Sequence, residues 1–269
     1  MPPSVSARLY RFCLILGLSA TIVACGPKQV GDPVKVSRSE YDLATDLWTR
    51  QREPRQALEH ALRAAELDRD NADAAHLVSL IYLDFCQNSR IGECRLSDAE
   101  HYARRAIRAQ ADLLPAQNTL AVILVHQKRY DEAIAILKPI TTNILYGTPE
   151  IAWGNLGWAY LEKGDIQRAI SALNRAVAAE PLFCVGNYRL GCAYRRAGQL
   201  ASARDSLDRA LETPAPGCAA LQDAYFERAQ VHLELGEREQ ARADYDRCIS
   251  LDRRSRTGER CATLLSALD

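Results

Sequence analysis

This sequence has little methionine, little phenylalanine and no net charge. One Met, the initiator, and four Phe occur among 269 residues, which argues against a Met-lined apolar groove. Lys and Arg number 34, and so do Asp and Glu. Two of the arginines fall within residues 1–24, which contain no acid, so the rest of the chain is slightly negative. A chain without a basic face cannot neutralise phosphates, and we expect no nucleic-acid partner.

The motifs that carry enzyme or metal chemistry are also absent from the sequence. It contains no phosphate-binding or dinucleotide-binding glycine motif, no HExxH and no GxSxG. No pair of cysteines has the Cys-x2-Cys spacing, and the five histidines are scattered along the chain. We therefore expect no enzyme activity, no small-molecule substrate, no metal site and no cofactor.

What the sequence does contain is a repeat, clearest in residues 150–183. This segment combines aromatic, small and aliphatic residues at fixed offsets: Trp153, Leu156, Gly157, Tyr160, Ala169, Leu173, Ala176 and Pro181. The pattern is that of the tetratricopeptide repeat (TPR), a helix-turn-helix unit of 34 residues. Such a unit cannot bury its apolar face alone, so it predicts neighbouring repeats and an interaction surface.

The same register extends along most of the chain. It predicts an all-α TPR solenoid, a right-handed superhelix of six repeats at 38–71, 72–113, 114–149, 150–183, 184–221 and 222–255. Residues 256–269 contain Leu264, Leu265 and Leu268 at helical spacing. We expect them to form a closing helix, because the last repeat of a solenoid needs a cover.

The N-terminus has the features of a lipoprotein signal peptide. Arg8 and Arg11 precede an apolar stretch from 12 to 24 that is shorter than the roughly 20 residues of a spanning helix. The sequence Ile-Val-Ala-Cys at 22–25 resembles a bacterial lipobox. Residues 1–24 are therefore predicted to be removed and Cys25 to carry acyl chains such as palmitate. The alternative is an ordinary secreted protein in which Cys25 is incidental.

The residues after the predicted lipid site bear on its location. Residues 25–37 contain two Gly and two Pro and are predicted to form a flexible tether. Gly26, rather than Asp, follows Cys25, so the inner-membrane retention signal of enteric bacteria is missing. We therefore expect lipid anchoring in the outer membrane, facing the periplasm.

The cysteines fit an oxidising compartment. Besides Cys13 and Cys25, the chain has seven, and their positions within the repeats suggest three disulfides: Cys86–Cys94, Cys184–Cys218 and Cys248–Cys261. The first pair brackets the insertion in the second repeat. Cys192 is then the candidate free thiol. The alternative is that all seven are small buried apolar residues.

The first helices of the repeats predict a binding groove. Side chains three and four residues apart share one helical face, and in a TPR solenoid that face lines the concave side. The predicted groove residues are Leu80, Leu83, Val122, Val125, Ile151, Trp158, Leu161, Tyr188, Phe226 and Leu233. Such a groove suits an amphipathic helix or an extended segment of a protein partner. The alternative is that superhelical curvature buries these residues, or that the closing helix or the tether fills the groove.

One junction resembles a known family. Asn143–Pro149 (NILYGTP) leads into Asn155–Tyr160 (NLGWAY), and together with the lipobox and six repeats this resembles the type IV pilus biogenesis and stability lipoproteins, the PilF/PilW/Tgl group of secretin pilotins. The resemblance implies an outer-membrane lipoprotein that promotes secretin assembly for type IV pili and pilus-dependent motility. The alternative function is a scaffold of another envelope machine, serving barrel assembly, gliding motility or peptidoglycan synthesis.

Overall fold

The computed structural model describes residues 31–87 and 94–268, and within these ranges the chain is helical with no β-strand. The helices are α1 (Pro33–Asp46), α2 (Pro54–Leu67), α3 (Ala72–Gln87), α4 (Leu96–Ala109), α5 (Leu114–His126), α6 (Tyr130–Thr141), α7 (Pro149–Lys163), α8 (Ile166–Ala179), α9 (Cys184–Arg196), α10 (Leu200–Glu212), α11 (Gln222–Glu234), α12 (Arg238–Leu251) and α13 (Arg256–Ser266). A π-helical turn, Leu47–Gln51, extends α1, and a 3-10 turn, Cys218–Ala220, precedes α11.

These helices form six antiparallel pairs followed by one closing helix. Each helix packs on the helix before it and the helix after it in sequence. The first helices of consecutive pairs also touch, as α5 does with α7, α7 with α9, and α9 with α11. The first helices therefore make a continuous inner layer, and the predicted all-α solenoid of six repeats with a closing helix is confirmed.

Large apolar side chains recur at one register position in the second helices. Leu137, Leu173, Leu207 and Tyr245 occupy it in four successive repeats, and each is 0% exposed. The first helix lies close enough that a Cβ added at Gly157 would sit 2.5 Å from Leu173 Cγ. The small residue on one helix thus makes room for the large residue on the other.

The turns inside the pairs need a residue in the left-handed backbone region. Gly164, Gly198 and Gly236 supply it with φ of 88°, 73° and 81°. Lys128 takes the equivalent place after α5 with φ 63°. The left-handed residue ends the first helix and redirects the chain into the second.

The start of the first repeat differs from the prediction. Residues 33–37 were predicted to belong to the tether, but α1 begins at Pro33, with the Asp32 carboxylate accepting a hydrogen bond from Val34 N at 3.1 Å. Ser37 is 0% exposed and donates to the Ala64 carbonyl at 2.8 Å. Proline at the first helical position and an Asp cap favour a helix start, and burial of Ser37 against α2 holds it there.

All three suggested disulfides are present. Cys86 and Cys94 join the end of α3 to the start of the α4 segment, Cys184 and Cys218 join α9 to the 3-10 turn, and Cys248 and Cys261 join α12 to α13. Cys192 is a buried free thiol in the described part of the chain.

The predicted signal peptide, 1–24, and the predicted lipidation site, Cys25, lie outside the described residues. Within the described ranges, no helix has both the length and the hydropathy needed to cross a bilayer.

Candidate functional site

A cavity of about 370 Å³ opens on the inner layer, where the third to sixth repeats contribute its lining. Its walls come from α5, α7, α9 and α11 and from the 3-10 turn. We call it the inner pocket. Its lining residues are His126, Trp158, Leu161, Glu162, Val185, Tyr188, Arg189, Cys192, Arg196, Ala220, Leu221, Gln222, Asp223, Ala224 and Glu227.

Trp158 lies between two polar side chains of this pocket. The Arg189 guanidinium stacks over its ring with 4.6 Å between the guanidinium carbon and the ring centroid. The His126 ring meets it edge-on, with 5.0 Å between centroids. Trp158 is half-buried and packs against the core on one side. The Trp158 ring thus contacts apolar core residues on one side and the charged Arg189 guanidinium on the other.

A chain of hydrogen bonds runs through three repeats beneath the pocket. Arg189 Nη1 donates to Asn155 Oδ1 at 2.8 Å, and Asn155 Nδ2 donates to Asn118 Oδ1 at 3.1 Å. Both asparagines are buried, at 6% and 8% exposed. The chain fixes the position of Arg189 relative to α5 and α7, because buried amides without these partners would be costly.

Burial dominates the titration of the pocket groups. Desolvation lowers the pKa of His126, with a further contribution from the positive charge of Arg189, and both effects favour the neutral imidazole. Desolvation also lowers the pKa of Arg189 to about 10. It raises the pKa of the Tyr188 hydroxyl and of the Cys192 thiol, so the thiol stays protonated and unreactive.

The outer wall of the pocket is built by the insertion before the sixth repeat. Ala220 and Leu221 line the cavity, and Cys218 just before them is bonded to Cys184 at the start of α9. Val185, next to Cys184, lines the cavity as well. The disulfide therefore pins the inserted wall to the helix that carries Arg189.

The structure divides the ten predicted groove residues into two classes. Five are buried between helices, at 8% exposed or less: Leu83, Val122, Val125, Leu161 and Phe226. The other five are half-buried: Leu80, Ile151, Trp158, Tyr188 and Leu233. The prediction that they line a groove is wrong for Leu83, Val122, Val125 and Phe226, because close packing of consecutive first helices covers them, whereas the buried Leu161 borders the inner pocket. The inner pocket brings together Trp158, Leu161 and Tyr188.

The list of predicted groove residues left out two parts of this site. Arg189 and the insertion residues Ala220 and Leu221 were not among the predicted groove residues, although all three line the inner pocket. The repeat register indicates where Arg189 lies. It occupies the position in the fifth repeat that Asn155 occupies in the fourth, two residues before Gly191 and Gly157, respectively. The closing helix α13 contributes no residue to the lining.

The outer surface carries a second cavity of about 370 Å³ over α6, α7 and α8. Trp153 forms part of its floor, with Arg175 stacked over the ring at 4.7 Å. Nearby, Ile144 and Leu145 project from the junction loop at 96% and 84% exposed. Among the described residues no cluster of three His, Cys, Asp or Glu side chains could hold a metal ion.

Models of the tetratricopeptide repeat match residues 112–179, 187–213 and 222–255. Among curated proteins, the TPR repeat-containing protein PA0015 of Pseudomonas aeruginosa is 42% identical over 60 residues, which is 22% of this chain and 57% of that protein. The human Superkiller complex protein 3 is 26% identical over 233 residues, which is 84% of this chain and 14% of that protein. The chain thus spans 57% and 14% of the lengths of the curated relatives it matches.

Two solved structures match nearly the whole fold. PilW, a widely conserved type IV pilus biogenesis factor, has a TM-score of 0.68 at 22% identity and covers 85% of this chain and 99% of its own. PilF of Pseudomonas aeruginosa has a TM-score of 0.63 at 16% identity and covers 86% of this chain and 99% of its own. Repeat matches, helix pairing and these two structures agree that the chain folds as a solenoid of tetratricopeptide repeats.

Proposed function

We propose that this protein is a non-enzymatic assembly factor that promotes formation of a secretin ring for type IV pili. It is anchored in the outer membrane by lipid on Cys25 and faces the periplasm. The inner pocket holds a segment of the partner protein. Support comes from the lipobox, from the NILYGTP junction and from the likeness in fold to PilW and PilF.

The observation that carries a binding role is the arrangement around Trp158. An open pocket with an aromatic floor, a stacked cation and a fixed polar network is a surface that a protein segment can fill. Trp, Tyr and Arg are the residue types most enriched among residues that dominate binding energy. Two inner-layer helices present them here, since Trp158 lies on α7 and Tyr188 and Arg189 lie on α9.

The first experiment tests the secretin role. Deletion of the gene should lower the amount of SDS-resistant secretin multimers in envelope preparations, and expression of the wild-type protein should restore it. Normal multimer levels in the deletion strain would refute the proposal.

The second experiment tests the site. Trp158→Ala should lower capture of the partner by the immobilised protein at least tenfold while the melting temperature falls by only a few degrees, because Trp158 is half-buried. Trp153→Ala is the matched control, since Trp153 is also half-buried under an arginine but lies on the outer face. Equal loss of capture in both variants would mean that destabilisation, and not lost contact, is responsible.

The alternative is a lipid-anchored scaffold for barrel assembly, gliding motility or peptidoglycan synthesis. It shares the anchor and the repeats and differs in the partner. Mass spectrometry of proteins that co-purify with the lipidated protein separates the two. A barrel-assembly protein or wall synthase, recovered in place of a secretin and lost with Trp158→Ala, would favour this alternative.

A further inference from the structure

Arg189 differs from most half-buried arginines of the described residues. Arg105 also lacks a carboxylate partner, but it donates to the carbonyls of Ala65, Asp68 and Arg69. Arg195, Arg228 and Arg129 each contact two carboxylates, at distances between 2.6 and 2.9 Å. Arg189 makes no ion pair with any carboxylate of the described residues, and its one hydrogen bond goes to the neutral amide of Asn155. A desolvated cation without a counter-charge is unfavourable, so its retention points to a role outside the fold.

The nearby acids are already engaged. Glu162 pairs with Arg196 at 3.2 Å, and Glu227 pairs with Arg195 at 2.8 Å. Asp223 accepts a hydrogen bond from the Thr257 hydroxyl, and its charge raises the pKa of Tyr188. The charge of Glu162 raises the pKa of Arg189 slightly against the larger effect of burial, but none of these side chains forms an ion pair with the guanidinium over Trp158.

A second unsatisfied group lies beside the same ring. His126 Nε2 is buried and has no hydrogen-bond partner among the described residues. His126 lines the inner pocket and stacks edge-on against Trp158, while Arg189 covers that ring. Two polar groups in need of partners thus converge on one aromatic side chain.

We propose that the inner pocket recognises an acidic side chain within an apolar stretch of the partner segment, with the Asp or Glu carboxylate bound to Arg189. The proposal rests on the proposed function, since it names the chemistry of the segment that the pocket holds. The carboxylate accepts from the guanidinium N–H groups that Asn155 leaves free, a fork geometry that suits a planar anion. The apolar neighbours of the acid contact Trp158, Val185 and Leu221.

The disulfide gives this site a defined shape. Leu221 belongs to the wall that the Cys184–Cys218 bond ties to the first turn of α9, and Arg189 lies one turn further along the same helix. The distance between the apolar wall and the cation is therefore set covalently, which suits a ligand with an acid next to an apolar group.

The test uses the purified protein and two isosteric probes, phenylacetate and phenylacetamide. In NMR titrations, phenylacetate should shift the Trp158 indole N–H and bind at least tenfold more tightly than the neutral amide, because only the anion pairs with Arg189. Arg189→Gln should remove this preference, and Arg189→Lys should keep part of it. Arg175→Gln is the matched control and should leave it unchanged, since Arg175 stacks on Trp153 at a similar distance outside the pocket.

Equal binding of the two probes to the wild-type protein would overturn the proposal, and this comparison does not depend on any variant folding. Loss of the preference in Arg175→Gln would overturn it as well. Failure of the proposed function has a different signature: the wild-type protein captures no secretin although phenylacetate still binds at Trp158. If secretin is captured in a Trp158-dependent manner but the acid preference is absent, only the present inference fails.

Discussion

Glycine at two positions of the inner layer sets how closely the paired helices approach. A Cβ at Gly157 would lie 2.5 Å from Leu173 Cγ and 3.2 Å from the Leu173 backbone nitrogen. Gly191 stands in the same relation to Leu207 one repeat later. Both leucines are 0% exposed, so neither side chain has free space to move into.

Gly157→Ala should therefore destabilise the protein by about 1–2 kcal/mol, since overpacking outweighs the gain in helix propensity. Gly147→Ala is the control, because nothing lies within 4 Å of its added Cβ. Urea unfolding monitored by circular dichroism measures both variants. A Gly157→Ala protein as stable as wild type would show that the helices can separate without cost.

His76 links two inner helices and makes stability depend on pH. The Thr119 hydroxyl donates to the Pro115 carbonyl at 3.0 Å, so it accepts from His76 Nε2–H, also at 3.0 Å. Burial lowers the pKa of His76 to about 4, which Asp73 opposes only in part. The folded state therefore holds a neutral imidazole at pH values where the unfolded chain takes up a proton.

This difference in pKa between the folded and the unfolded state sets the direction in which stability changes with pH. The stability that the neutral His76 contributes is fully present above pH 6.5 and is lost as the pH falls toward 4, and the total loss over this interval is about 3 kcal/mol. His76→Gln should have a shallower loss of stability over that interval than wild type. Chemical unfolding at pH 7, 5.5 and 4 measures the slopes. Parallel slopes would contradict the assignment.

At the scale of single elements, α13 closes the solenoid. Its apolar face packs with Phe226 and Tyr245 of the sixth repeat, and Cys261 is bonded to Cys248 on α12. Both cysteines are 0% exposed. The helix thus covers the last apolar face and is tied to it covalently.

Removal of this bridge by the double variant Cys248→Ala/Cys261→Ala should cost about 3 kcal/mol by loop entropy for a separation of 13 residues. Amide hydrogen exchange in α13 should speed up more than exchange in α1 to α10. The control is Cys86→Ala/Cys94→Ala, which removes the disulfide of the second repeat, whose cysteines are 8 positions apart in sequence. Unchanged exchange in α13 would mean that apolar packing alone holds the helix.

At the scale of the whole molecule, the proposed role needs the solenoid to be held at the membrane. Acyl chains on Cys25 would provide this anchor, since each buried CH₂ contributes about 0.8 kcal/mol and one chain alone binds only marginally. Asp32 and Pro33, where α1 begins, lie only a few residues after Cys25, so the tether is shorter than residues 25–37. The first repeat would therefore lie near the bilayer.

Cys25→Ser should release the protein from the membrane fraction into the periplasmic fraction and abolish labelling by radioactive palmitate. Secretin multimers should then fall toward the level of the deletion strain, because the scaffold is no longer held at the site of assembly. Gly26→Ala is the control and should remain membrane-bound and labelled. Retention of Cys25→Ser in the membrane fraction would contradict lipid anchoring at this residue.

The architecture could be predicted from the sequence because the same pattern of residues recurs in every repeat. Residues such as Leu137, Leu173 and Leu207 recur at one register position, so each repeat supports the interpretation of the next. The cysteine pairs could be suggested for the same reason, since the register places Cys248 opposite the closing helix. The start of α1 was missed because two Gly and two Pro suggest a tether, whereas Pro33 is the first residue of a helix.

The composition and register of the sequence were enough to specify the all-α repeat, its six units and its closing helix. Which groove residues stay accessible was decided only by tertiary packing, because helical spacing defines a face but not how tightly the next repeat covers it. Val122 and Trp158 occupy the same position in their repeats, yet Val122 is 8% exposed and covered by its neighbours while Trp158 borders a cavity. That no carboxylate of the described residues pairs with Arg189 is likewise visible only in three dimensions, since it depends on every segment that packs around the guanidinium.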